Sequence, residues 1–574
     1  MHRLIAALLH RIGEHLPAEF KILHQQFLLR VVDLEELSIE ADIPRFLGQF
    51  AGILIMISIV HGIGSLWFPP PPSMAWSIEQ SRISDLLLVI GLCTVLMWDT
   101  TFPDRRDVMV LSSLPLHPRT ILAAKVSASA TVLGIAVVAL NCFGSVGLSV
   151  ALGAPSGGAV GIARFNFALW FTMIAAAFFL YAAILTIQGV AALLLPRRMF
   201  LRTTAILQLA AFGLFLSVRF LQPNLVTHAE LASAQHRWLL NVSPTFWFAG
   251  LWNQLNGSTP SDLLWLAHRA WVSLAIVATG GSASLLLCYR RTMKKTVEDP
   301  DLVPGTNSLR LLPRFGSSLE SAIVVFCLRS IARSRQHRVA LAFFWSVVFA
   351  VSLAWTRHVF ETDREPISAD FIFSTILMML FAVFGLRGVF ALPVSLNANW
   401  VLRITQLRPT RDYIAATRRA LQLFGVLPIV TITVALSFHF RPWQQAGEHL
   451  AFLALCGSAM VEMSLIRFDK VPFTCSYLPG KNNVQAVFWG FALIVTMLGV
   501  LLAGYEMDAL SHPSQFLLLL SVTAAVILGL WTVNRIHARS AVLYFEELPQ
   551  EVLTRLGLIF VPPPRSSTTG TQTP

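Results

Sequence analysis

Four ionisable residues inside the long apolar runs of this 574-residue chain are candidates for chemistry: His61, Asp85, Arg387 and Glu462. Hydrocarbon penalises a charged side chain, so such residues mark ion pairs, proton relays or substrate paths. Arg387 and Glu462 each lie a turn or two inside the end of their run. They can form an intramembrane ion pair, or each can reach the interface along its alkyl stem. Hydrolytic signatures are missing: the chain has no H-E-x-x-H and no G-x-S-x-G, so no metal or nucleophile site is expected. A phosphate-cradling loop needs G-x-x-x-x-G-K followed by Ser or Thr. The nearest stretch, Leu478-Pro479-Gly480-Lys481-Asn482-Asn483, lacks the first glycine and the hydroxyl. The chain is therefore expected to bind no cofactor and to be no enzyme. The six cysteines, Cys93, Cys142, Cys288, Cys327, Cys456 and Cys475, form no C-x-x-C and read as inert buried thiols.

A second group of residues could do recognition chemistry. The stretch FPDRRDVMVLSSLPLHPRTILAAK (102–125) is too polar for lipid, yet carries Leu114-Pro115-Leu116 in its middle. Apolar side chains in a polar loop cost solvation unless something packs on them. Asp104, Arg105, Arg106 and Arg119 offer polar contacts around that apolar centre.

The elements that must position these residues follow from composition. The chain is 55% hydrophobic and 13% charged, with a formal net charge of +12. Soluble domains are about 25% charged, so this is an all-α polytopic membrane protein. About 20 apolar residues cross a bilayer core. By that ruler about twelve spans are expected, near 47–67, 83–99, 121–150, 165–195, 203–220, 267–289, 338–356, 370–393, 417–439, 447–467, 484–505 and 514–534. The basic residues fall in short segments between runs, with no stripe of interleaved aromatics, so nucleic acid is not the partner. One set of loops holds Arg105, Arg106, Arg119, Arg197, Arg198, Arg202, Arg290, Arg291, Lys294 and Lys295. The same set continues with Arg403, Arg408, Arg411, Lys470, Lys481, Arg535 and Arg539. The other set, including PPPPSMAWSIEQ (69–80), GAPSGGAVG (153–161) and the acidic Glu506 and Asp508, is nearly free of Lys and Arg. The positive-inside rule makes the basic set and both termini cytoplasmic.

The expected organisation is a cytoplasmic amphipathic and elbow segment (1–46), a first six-helix half (47–289), a linker with a second elbow (290–337), a second six-helix half (338–534) and a tail (535–574). The halves match internally. At an offset of 293 residues, Leu111 aligns with Ile404, Leu114 with Leu407, Ile121 with Ile414, Ala123 with Ala416 and Lys125 with Arg418. FLLR (27–30) pairs with FCLR (326–329), and LLPRR (194–198) with YLPGK (477–481). An even number of spans per half makes the repeats parallel, unlike the inverted repeats of many secondary transporters.

This order of elbow, two spans, basic Leu-Pro-Leu strip and four further spans resembles the ABC-2 type permeases, membrane subunits of ABC exporters. The resemblance implies two fused six-span halves in a bacterial inner membrane, with SPTFWFAGLWNQLNG (243–257) as an outer helix; by composition alone the same segment also reads as an interfacial aromatic belt. It implies ATPase-coupling elements at Asp104, Arg105, Arg106, Leu114, Pro115, Leu116, Arg119 and Lys125, and at Arg403, Leu407, Arg408, Arg411 and Arg418. It also implies a separate ABC ATPase subunit, two copies, that binds ATP and Mg. The second strip lacks the Leu-Pro-Leu core and fits a diverged partner. The alternatives are an ion-coupled secondary transporter and a non-transporting accessory subunit of an ABC system.

Overall fold

A computed structural model of the protein describes residues 17–32, 43–97, 110–111, 114–195, 237–258, 263–298, 317–334, 367–394, 410–437, 443–474 and 484–543. It also describes short pieces within 199–219 and 337–346, and single positions at 399, 404 and 545. All regular structure among these residues is helical. Among the described residues, six helical stretches are long and apolar enough to cross a membrane: Phe50–Trp67, Arg119–Leu194, Leu264–Leu287, Ala369–Val389, Thr410–Ser437 and Pro513–Ser540.

In chain order the first half contains α1 (Ala18–Val32), α2 (Ile43–Trp67), α3 (Ala75–Leu96), α4 (Pro118–Leu148), α5 (Ala154–Leu194), α6 (Arg237–Val242), α7 (Pro244–Asn256) and α8 (Leu264–Glu298). The second contains α9 (Ser318–Arg333), α10 (Ala369–Val389), α11 (Thr410–Leu421), α12 (Leu427–Ser437), α13 (Trp443–Ser464), α14 (Val484–Leu510) and α15 (Pro513–Ser540). Their starts follow local chemistry. Pro118 opens α4 behind an extended His117, and Pro244 opens α7 behind an extended Ser243, the position where a missing N–H costs nothing. Ser317 and Glu320 close a reciprocal capping box on α9. Gly257, in the left-handed region at φ 70°, ends α7.

The 76-residue stretch Arg119–Leu194 is two helices joined by a reversal. A five-residue π-turn (Ser149–Gly153) ends α4, and Gly158 takes φ 59°, ψ −134°, a conformation that favours glycine. A side chain on Gly161 would overlap the Gly153 carbonyl oxygen. In a straight helix those residues would stand about 12 Å apart.

Small residues let α2 and α4 touch backbone to backbone. A Cβ on Gly62 would fall 2.7 Å from the Phe143 carbonyl oxygen, and one on Gly147 would overlap Gly62 itself. Ser58 Oγ lies between the helices and accepts from the N–H groups of Phe143 (3.0 Å) and Gly144 (2.9 Å).

Buried apolar side chains gather into two large clusters. One spans Leu23 to Val277 and the other Ile323 to Phe516. Each half thus has its own core. The aromatic segment 243–257 holds the helix α7, and it is covered: Phe246, Phe248 and Trp252 are buried. α7 packs on α3, α5 and α8, so it belongs to the first core.

Candidate functional site

The described part of the Leu-Pro-Leu strip leads directly into α4. The Leu114 N–H donates to the Leu111 carbonyl (3.3 Å) and the Leu116 N–H to the Leu114 carbonyl (2.7 Å), which tightens the chain into a bend. That bend sorts the side chains. Leu111 and Leu116 pack against the first core, whereas Val110 and Leu114 are 61% and 47% exposed. Pro115 and Arg119 are also exposed. Two inward leucines therefore anchor a short ridge whose outward residues are apolar and uncovered. Asp104, Arg105 and Arg106 lie outside the described residues.

Behind the ridge, the N-terminal helix α1 lies along α4 and buries Leu23, Phe27 and Leu28. Lys125, on the second turn of α4, is 3% exposed and sits 5.1 Å from the Phe27 ring centroid. A cation over an aromatic face recovers part of the hydration it loses. His24 Nε2 lies 3.2 Å from Thr131 Oγ1 one step further along the same contact. Lys125 thus faces the protein interior, at the joint between elbow and span.

The second half repeats this joint with different chemistry. α9 lies along α11 as α1 lies along α4, and Cys327 of FCLR is buried where Leu28 of FLLR is buried. Here Glu320 on the elbow pairs with Arg419 on α11 at 2.7 Å. Arg418, the counterpart of Lys125, turns the other way. It meets Glu462 of α13 at 2.6 Å, with 19% and 6% of the two side chains exposed. Asn534 of α15 donates to the Glu462 carbonyl (2.8 Å) and to its carboxylate (2.9 Å). A carboxylate in the last turn of a helix faces the negative end of the macrodipole, and this network offsets that. It ties α11, α13 and α15 together at the end that carries the basic loops.

Arg387 of α10 lies at the same end, with its guanidinium 4.3 Å from the Phe468 ring centroid and its Nε donating to the Ser464 carbonyl (3.1 Å). The ionic partner that the structure gives Glu462 is Arg418. Arg411 is largely exposed beside Asp412, and Ile404 is 70% exposed. Arg403, Leu407 and Arg408, and both members of the LLPRR and YLPGK match beyond Leu194 and Leu195, lie outside the described residues.

Phe473 forms a hub at this end. It is buried at φ 66°, a conformation that L side chains rarely adopt. Its ring meets Phe326, His337 and Phe390 edge-on at 6.0, 4.7 and 5.2 Å. His337 Nε2 is 2.8 Å from the Leu392 carbonyl oxygen and Nδ1 is 2.5 Å from Ser334 Oγ. Burial holds His337 below its ordinary value, and the Leu392 contact offsets part of that shift.

At the opposite end, Asp85 pairs with Arg219 at 2.5 Å, and His61 lies close by, its carbonyl accepting from Arg82 (3.5 Å). Glu79 is buried against Asn253 of α7. The four described cysteines, Cys93, Cys142, Cys327 and Cys456, are free. Among the described residues no group of three or more His, Cys, Asp or Glu could hold a metal ion. No family model matches the chain, and neither does any curated protein or solved structure.

Proposed function

We propose that this protein is the membrane-spanning permease subunit of an ATP-driven exporter of the ABC-2 type, built from two parallel six-span halves with both termini cytoplasmic. The observation that carries this reading is the ridge at 110–116. Leu111 and Leu116 fix it to the core, Val110 and Leu114 face outward, and α4 continues from it through Pro118. A subunit that docks on Leu114 would move α4 with it, and through Lys125 and Phe27 the elbow as well. Rigid displacement of packed helices converts such a push into altered access between the bundles. ATP and Mg would bind the docked ATPase, one copy under each half, and the chain itself would contribute no step of hydrolysis. The second joint, cross-braced by Arg418–Glu462, suits a half whose coupling strip has become structural.

The test is co-purification of the full chain with candidate ABC ATPase subunits from detergent. Leu114→Asp places a charge on the outward ridge and leaves the inward leucines intact. Loss of the ATPase from the purified complex, with unchanged thermal stability of the permease, is the expected result. Full retention with unchanged ATP turnover would overturn the docking assignment.

A further inference from the structure

At the end remote from the basic loops, three helices of the second half bury a hydroxyl, an imidazole and a carboxylate in line. His449 of α13 is 0% exposed and its Nδ1 lies 2.7 Å from Oε1 of Glu506 on α14, also 0% exposed. Its Nε2 lies 2.9 Å from Oγ1 of Thr375 on α10. The second carboxylate oxygen of Glu506 is buried with no hydrogen-bond partner. The Phe371 ring, 5.7 Å away, walls the imidazole. The order hydroxyl–imidazole–carboxylate is that of a nucleophile with its base, but Thr375 is completely buried and admits no substrate.

The arrangement can hold one proton more or one fewer without breaking a contact. Thr375 Oγ1 has a single proton and three acceptors in reach: the carbonyls of Phe371 (3.0 Å) and Ile372 (2.9 Å), and His449 Nε2. When the hydroxyl donates to Nε2, His449 donates its own proton from Nδ1 to Glu506, and the pair carries a net charge of −1. When the hydroxyl turns to the carbonyls, Nε2 takes up a proton from water and donates to Thr375, the Nδ1 proton passes to Glu506 as a carboxyl O–H that donates back to Nδ1, and the pair carries no net charge. Other titratable groups on these helices and beside α15 at this end are Asp370, Glu448, Cys456, Tyr505, Asp508 and His512. Cys456 is buried near the pair, while Tyr505, Asp508 and His512 are exposed. The described residues of α10, α12, α13, α14 and α15 at this end include no Lys or Arg to balance the charge. A net charge in a dry interior is costly. The charged state therefore favours separation of the helices and entry of water.

We propose that His449 and Glu506, with Thr375, form a proton-binding site whose occupancy keeps α10, α13 and α14 closed at this end. The site goes beyond the ATP-driven reading and stands whether or not an ATPase docks. It closes on protonation and opens on proton release.

Infrared difference spectra of the purified full-length protein in detergent test it directly. The expected result is a protonated-carboxyl band at neutral pH that shifts in deuterium oxide, is lost on raising the pH, and is absent in Glu506→Gln. In the wild type, maleimide labelling of Cys456 relative to Cys93, read by peptide mass, should rise several-fold over the same pH change. A band that survives in E506Q, or that never titrates, would overturn the proposal. Should E506Q fail to fold, His449→Gln serves instead: it must move the midpoint of the band's titration, and an unchanged midpoint would refute a shared proton. A constant Cys456 to Cys93 ratio would sink the opening step.

Discussion

Removing Arg418 should be far more damaging than neutralising the carboxylate it meets. Arg418→Met keeps the alkyl stem but strips Glu462 of its only ionic partner among the described residues, leaving the Asn534 amide against a carboxylate whose side chain is 6% exposed. Uncompensated buried charges cost about 3–5 kcal/mol, well above the roughly 0.6 kcal/mol of an average hydrogen bond between membrane helices. Glu462→Gln leaves a different residue. Gln can still accept from Asn534, and Arg418, with 19% of its side chain exposed, can extend toward water, so a loss of about 1 kcal/mol is expected. At about 2–4 °C per kcal/mol for a unit of this size, R418M should lower the melting midpoint by roughly 10 °C and E462Q by roughly 3 °C. The double variant removes both charges and should fall near E462Q. Thermal unfolding of the three variants in one detergent, followed by loss of monodispersity and of helical dichroism, reads this out. Equal losses in the two single variants, or a double loss equal to their sum, would show that the two residues do not act as a pair.

Phe27→Ala should cost about 3–5 kcal/mol by opening a cavity between elbow and span, and should raise protease cleavage within α1. Gly158→Ala, at φ 59°, should cost about 1–3 kcal/mol, whereas Gly157→Ala, at φ 175° with open space around it, should be close to neutral; equal melting midpoints would argue against the reversal between α4 and α5. Gly147→Leu should fail to form the α2–α4 contact, which crosslinking between engineered cysteines on the two helices would report. His337 is held below its ordinary value of 6.5, so the unfolded chain binds its proton more readily than the folded one. The stability this contributes is fully present above that value and is lost as pH falls toward the folded one; a wild-type melting midpoint that declines over that window no more than His337→Gln would refute the assignment.

Much of the architecture is legible in the sequence because lipid leaves a chain few choices. A span must be apolar for about 20 residues, so runs such as 369–389 and 513–540 declare themselves, and the aromatic helix at 244–256 is marked by Pro244 and Gly257. The elbow matches are also visible, because burying one face of a helix requires the same apolar spacing in both halves. Contacts between helices are a different matter. Glu462 could be seen as an ionisable residue in an apolar run, but nothing local in the sequence chooses between Arg387 and Arg418, which lie on different helices. That choice depends on the rotation of α10 and α11 about their axes, which core packing sets. Likewise Lys125 and Arg418 align as equivalent cations, yet one turns to Phe27 and the other to Glu462. His449 and Glu506 carry no warning in sequence at all: each sits near a helix end where polar residues are ordinary. Only the approach of α10, α13 and α14 removes both from water and makes a proton site of them.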